Sequence, residues 1–155
     1  SEYDTVVYDV FCIGQKGNDG KRYADEFIAL GGTVKPFDNV IGLRNDIECC
    51  ACVIDAIFGI GVKGELPEFL TDIAEILRGA KDTFKIAVDI PLGVSSDDAT
   101  VDERFVYAAD ATVSLCLLKP SNVSYPAKEY MGKVIYDNIN LQIDNILEKN
   151  DFKNI

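Results

Sequence analysis

Ala51 to Phe58, read ACVIDAIF, is apolar at every position but Asp55 and runs directly into Gly59-Ile60-Gly61-Val62-Lys63-Gly64-Glu65. A short, continuous apolar run rich in Val and Ile reads as a strand covered on both faces, the pattern of parallel sheets. Parallel neighbours need crossover connections, so the flanking sequence has to supply helices. It does. Pro67 to Arg78 carries Phe69, Leu70, Ile73, Ile76 and Leu77 at helical spacing, with the proline near its start. Upstream, Thr5 to Ile13 predicts a strand ending at a Gly14–Gly20 turn, and Lys21 to Leu30 a helix with Tyr23, Ala24, Phe27 and Leu30 on one face. Thr33 to Phe37 predicts a further strand, and residues 38–50 are mixed, with one helical turn expected. Strands are predicted at Phe84 to Ile90, Ala111 to Leu118 and Lys133 to Asp137, and Leu141 to Lys149 has the amphipathic pattern of a closing helix. The expected fold is α/β: a single three-layer, Rossmann-like domain over residues 1–155, with a mostly parallel sheet and helices on both faces.

Charge and cysteine usage narrow the partners. The net charge of −11 and the lack of any basic stripe argue against nucleic acid. No apolar run approaches the ~18 residues of a membrane span, and the first residues lack the pattern of a secretory signal. Cys12, Cys49, Cys50, Cys52 and Cys116 follow no disulfide framework, and a closed zinc site is not expected in a chain with no histidine. Reduced cysteines and a cytoplasmic location are the expectation.

Ligands of open parallel sheets sit beyond the carboxyl ends of strands, which selects three loops. Gly14-Gln15-Lys16-Gly17-Asn18-Asp19-Gly20 precedes a helix and reads either as an ordinary βα turn or as an anion cradle. Gly59 to Gly64 has the spacing G-x-G-x-x-G, which lets backbone approach phosphates, yet it follows the third strand and no helix opens inside it, a poor match to a dinucleotide fingerprint. Lys63 there is either a phosphate contact or a solvated loop lysine. Asp89-Ile90-Pro91-Leu92-Gly93 places a carboxylate at a strand end before a forced turn. Asp55, inside an apolar strand, needs donors or a cation. Together these imply a site for a phosphorylated small molecule.

Val53 to Leu66 (VIDAIFGIGVKGEL) resembles the D-A-[LI]-F-G-x-G-x-x-[GR]-x-L segment of the NAD(P)H-hydrate epimerase family, the YjeF N-terminal domain. Ala87 to Val94 (AVDIPLGV) resembles its A-[VI]-D-I-P-S-G-[LW]; Ala109 to Val113, Leu118-Lys119 and Gly132 to Val134 match later landmarks in order. Gly14 to Gly20 aligns with the family's G-N-N-G-G-D-G.

The resemblance implies epimerisation of the R and S forms of hydrated NADH and NADPH, a cofactor repair that supplies a partner NAD(P)H-hydrate dehydratase. It implies Asp89 as the substrate carboxylate and proton-transfer group, and Gly17, Asn18, Asp19 and Gly59, Ile60, Gly61, Val62, Lys63, Gly64 and Glu65 as the cofactor-binding stretches. It further implies Asp55 as a potassium ligand, and a homodimer. Three departures stand out. Gln15-Lys16 replaces the family's Asn-Asn, Leu92 replaces its serine, and roughly 50 residues of helical sequence that precede the first strand in most members are missing here. Loss of these oxygens predicts loss of potassium, with Lys16 reaching Asp55 in its place. The alternative is a catalytically degenerate domain kept for ligand binding or dimerisation.

Overall fold

Eight stretches of regular structure follow the predicted rhythm closely. The computed structural model describes residues 9–12, 17–37, 40–60 and 64–140. Two compact units divide at Leu43/Arg44. In the first, β1 (Asp9–Cys12) and β2 (Thr33–Pro36) pair in parallel, joined by α1 (Asn18–Ala29). Of the apolar face expected on α1, Ala24 and Phe27 are half-buried, whereas Tyr23 and Leu30 are exposed.

The second unit holds a four-stranded parallel sheet ordered β3-β4-β5-β6, formed by β3 (Cys52–Asp55), β4 (Phe84–Val88), β5 (Ala111–Leu115) and β6 (Lys133–Asp137). Its register aligns Asp55 with Ala87, Ala87 with Thr112 and Thr112 with Val134, so these four share one face. Asp55, Ala87 and Thr112 are buried there. On the opposite face Ile54 is 62% exposed and Phe84 50%, whereas Ala111 is buried. Coverage of ACVIDAIF on both faces therefore does not hold, because β3 is the outer strand of this sheet and regular pairing stops at Asp55.

α3 (Leu70–Gly79) buries Leu70, Ile73, Ala74, Ile76 and Leu77, a wide apolar stripe. Phe69, expected in that stripe, precedes the helix and is partly exposed. Residues 38–50 need a larger correction. Val40–Cys49 is a ten-residue helix, α2, with Leu43 and Ile47 buried. This i, i+4 pair is its buried apolar stripe, and Gly42 inside the helix weakens its local propensity. Between β5 and β6 the chain makes two short turns, α4 (Pro120–Val123) and a 3-10 turn at Ala127–Tyr130. The predicted closing helix at Leu141 to Lys149 lies outside the described residues. No helix among the described residues is long and apolar enough to cross a membrane.

Candidate functional site

Parallel strands deliver their carboxyl ends to one sheet edge, and the residues of interest in the second unit gather there. Asp55 ends β3 at 4% exposure. Its Oδ1 accepts the Ile57 N–H at 3.0 Å; its Oδ2 accepts the Leu92 N–H and the Tyr107 hydroxyl, each at 2.9 Å. Burial pushes the Asp55 carboxyl above its ordinary value, and these three donors draw it part of the way back. Tyr107 is itself held far above the usual phenol range, first by burial and then by the Asp55 charge.

A carboxyl raised in the folded state contributes stability that is complete below its unfolded value and is lost as pH rises through its folded value. Tyr107→Phe removes a donor that serves the ionised form. Its cost is expected at neutral pH, about 1–3 kcal/mol, and should shrink as pH falls toward the ordinary carboxylate range. Urea denaturation of both proteins at about pH 7 and about pH 4 checks this; an equal cost at the two values would contradict the assignment.

Asp89 lies one residue past β4 with φ 73°, a left-handed conformation that costs a non-glycine residue about 1–2 kcal/mol. Its backbone N–H donates to Val113 O at 2.8 Å, which fixes the turn against β5. Its Oδ1 accepts the Leu115 N–H at 3.2 Å and forms an ion pair with Lys119 Nζ. Oδ2 has no donor among the described residues. It faces Gly59 instead: a Cβ built on that glycine would lie 3.2 Å from Asp89 Oδ2. Glycine here opens the space in front of the carboxylate.

Gly59 and Ile90 also border a cavity of about 340 Å³. Phe58, Gly64, Glu65 and Leu66 line one side; Pro91, Gly93, Val94 and the polar groups of Ser95, Ser96 and Thr100 line the other. Arg104 reaches its rim, held by Asp102 through contacts of 3.0 and 2.7 Å. Glycine backbone and hydroxyls offer hydrogen bonds to a polar ligand, while the carboxylates of Glu65, Asp97 and Asp102 also line the cavity and Asp102 neutralises its one guanidinium. Gly59, Gly64 and Glu65 thus meet the 89–93 loop. Gly61, Val62 and Lys63, like Gly14, Gln15 and Lys16, lie outside the described residues. Gly17 precedes α1, and Asn18 and Asp19 form its exposed first turn, in the first unit.

Two residues at this edge went unnamed as site residues in the sequence. Tyr107 lies 52 positions from Asp55 and Lys119 lies 30 from Asp89, so no local spacing connects the partners. Lys119 follows the carboxyl end of β5 and belongs to the Leu118-Lys119 landmark of the family resemblance, the two signals that mark it.

Potassium is a poor match to the described donor set. A hard cation gathers several oxygens. Here both Asp55 oxygens already accept N–H or O–H donors, and Leu92, 1% exposed, offers Asp55 its amide and a hydrocarbon side chain. The expected compensating charge, Lys16, lies outside the described residues. The cysteines are free thiols; Cys50, whose Sγ donates to Ile47 O at 3.2 Å, is pushed up by burial. Among the described residues no three metal-ligating side chains cluster.

A family model described as YjeF-related protein N-terminus matches residues 2–121. The chain belongs to this family. An NAD(P)H-hydrate epimerase of Elusimicrobium minutum is 33% identical over 140 residues, covering 86% of this chain and 62% of the relative. This chain therefore spans about three fifths of that relative's length. A bifunctional NAD(P)H-hydrate repair enzyme of Vibrio cholerae is 30% identical over 124 residues, 80% of this chain and 24% of that one. The crystal structure of a yeast protein, YNL200c, superimposes with TM-score 0.63 at 21% identity over 83% of this chain and 52% of that chain, which establishes the α/β fold.

Proposed function

We propose that this YjeF N-terminal domain epimerises hydrated NADH and NADPH, with Asp89 as the proton-transfer group. The observation that carries the reading is the Asp89 carboxylate itself: one oxygen is anchored, and the other is open beside Gly59 at the cavity rim. An oxygen that takes the hydroxyl proton of the hydrate lets the ring C–N bond open to an aldehyde, the electron pair and the proton passing to nitrogen; reclosure on the other face, with the proton transfers reversed, inverts the carbon, the work of a positioned acid/base. Gly59 and Gly64, with Ser95, Ser96 and Arg104 across the cavity, support binding of the phosphates there. Asp55 serves architecture: it ties the start of the 56–66 loop to Leu92 and to Tyr107, keeping the two loops together. A dehydratase that consumes one epimer is the natural partner, a reading supported by relatives named bifunctional NAD(P)H-hydrate repair enzymes.

The test is an epimerisation assay on purified hydrated NADH coupled to a dehydratase specific for one epimer. Both epimers are expected to disappear; persistence of half the material would refute the activity. Because the donors on Asp55 are N–H and O–H groups, the rate and the melting temperature are expected to be the same in potassium and in sodium. A potassium-dependent rise in both would show that Asp55 holds the ion after all.

A further inference from the structure

Lys119 follows β5 with its side chain 12% exposed, and the Asp89 side chain is 10% exposed. An ammonium has three donors. Those of Lys119 go to Asp89 Oδ1, to Leu115 O at 2.8 Å and to Ser114 Oγ at 3.3 Å. None is left for a substrate. The lysine is itself fixed from behind: its backbone N–H donates to Asn122 Oδ1 at 2.6 Å, and the Ser114 hydroxyl donates to that same oxygen at 3.0 Å. Asn122 is buried.

We infer that Lys119 is a positioning residue for the reaction proposed above: it clamps one Asp89 oxygen so that the other is aimed at the space beside Gly59. The inference rests on Asp89 being the proton-transfer group. Three observations converge on it. The ammonium is saturated by protein acceptors, which removes the role of substrate ligand. Its carboxylate partner is offered the Leu115 N–H on the same oxygen, so both anchors restrain Oδ1 and neither touches Oδ2. Asp89 sits at positive φ, where its side chain leaves the strand in a direction that the ordinary extended conformation would not give, and where a second anchor is needed to hold it. The Ser114–Asn122–Lys119 network supplies that anchor from a rigid strand end.

Removing such an anchor acts on orientation, and a displacement of about 1 Å at a reacting group costs roughly 10²-fold in rate. Lys119→Met should therefore lower kcat for epimerisation by about 10²-fold with KM changed less than about threefold, since no substrate contact is lost. Lys119→Arg, which keeps a cation within reach of Oδ1, should recover part of the rate. Lys119→Gln, which keeps one donor, serves in its place should Lys119→Met fail to fold, and melting curves accompany each variant. A merely structural lysine would shift the melting temperature and leave kcat per folded molecule alone; kcat within about fivefold of wild type in a folded variant overturns the inference. The failure of the proposed activity is distinguishable from this. If the wild type does not epimerise hydrated NADH, the crystal structure of the folded Met or Gln variant decides: an Asp89 carboxylate still aimed at Gly59 overturns the positioning role, and a rotated one sustains it.

Discussion

Asp89→Asn is expected to lower the epimerisation rate by about 10²–10⁴-fold, the usual contribution of a positioned acid/base, in a protein that still folds and binds nucleotide but is less stable, because Lys119 keeps an acceptor and loses its counter-charge. Asparagine has nearly the same shape, and it is among the residues that best tolerate the left-handed conformation found at φ 73°, so no backbone cost is added. Its Oδ1 still accepts from Leu115 N–H and Lys119. What is lost is the capacity to hold and return a proton. The measurement pairs kcat on hydrated NADH with calorimetric titration of intact NADH. A rate within about tenfold of wild type would remove Asp89 from the chemistry and leave it a binding group.

Gly93→Ala is expected to produce a large loss of stability. Gly93 has φ +82°, and a Cβ there would lie 2.5 Å from Val106 N, 2.7 Å from Phe105 C and 2.8 Å from Val106 Cα, all backbone atoms. No side-chain rotation relieves such contacts. The segment it would push is also tied down, because Arg78 donates to Glu103 O at 3.0 Å, Val106 O at 3.1 Å and Arg104 O at 3.4 Å. The left-handed conformation adds about 1–2 kcal/mol for an alanine. A total of at least about 4 kcal/mol places the change in the exceptional tail of single substitutions. Gly79 is the internal control: nothing lies within 4 Å of its added Cβ, and it ends α3. Gly79→Ala should be neutral or stabilising by about 0.5–1 kcal/mol. Urea midpoints of the two variants decide the matter; similar midpoints would mean the 103–106 segment yields more readily than its hydrogen bonds imply.

How far the chain could be read depended on the range of the interaction. β4, β5 and β6 were visible because apolar runs bounded by proline or glycine need no partner to be recognised, and β6 was placed at Lys133–Asp137 with the same limits. α2 was not, since Leu43 and Ile47 alone make too narrow a stripe around Gly42 and Asn45. β3 was drawn too long because Ala56 to Phe58 continue the apolar pattern after pairing has ended, and the pattern reports burial, not hydrogen bonding. Asp55, Asp89 and Gly59 were legible as loop and strand-end residues. Their partners Tyr107 and Lys119 were not, because what makes them site residues is a hydrogen bond or ion pair closed across the sheet edge by the fold.

The Asp89–Lys119 pair also limits how this sequence can diverge. Taking away one member of a buried ion pair strands a charge at a cost of about 3–5 kcal/mol, a large share of the ~5–15 kcal/mol that keeps a domain folded. Exchanging both members for apolar groups of similar volume can leave stability unchanged. A lineage under selection for abundance alone can therefore discard the two residues together far more easily than one at a time. The two positions are therefore expected to change together: relatives that keep the aspartate should keep the lysine, and those that have abandoned catalysis should carry a joint replacement with the fold intact around it.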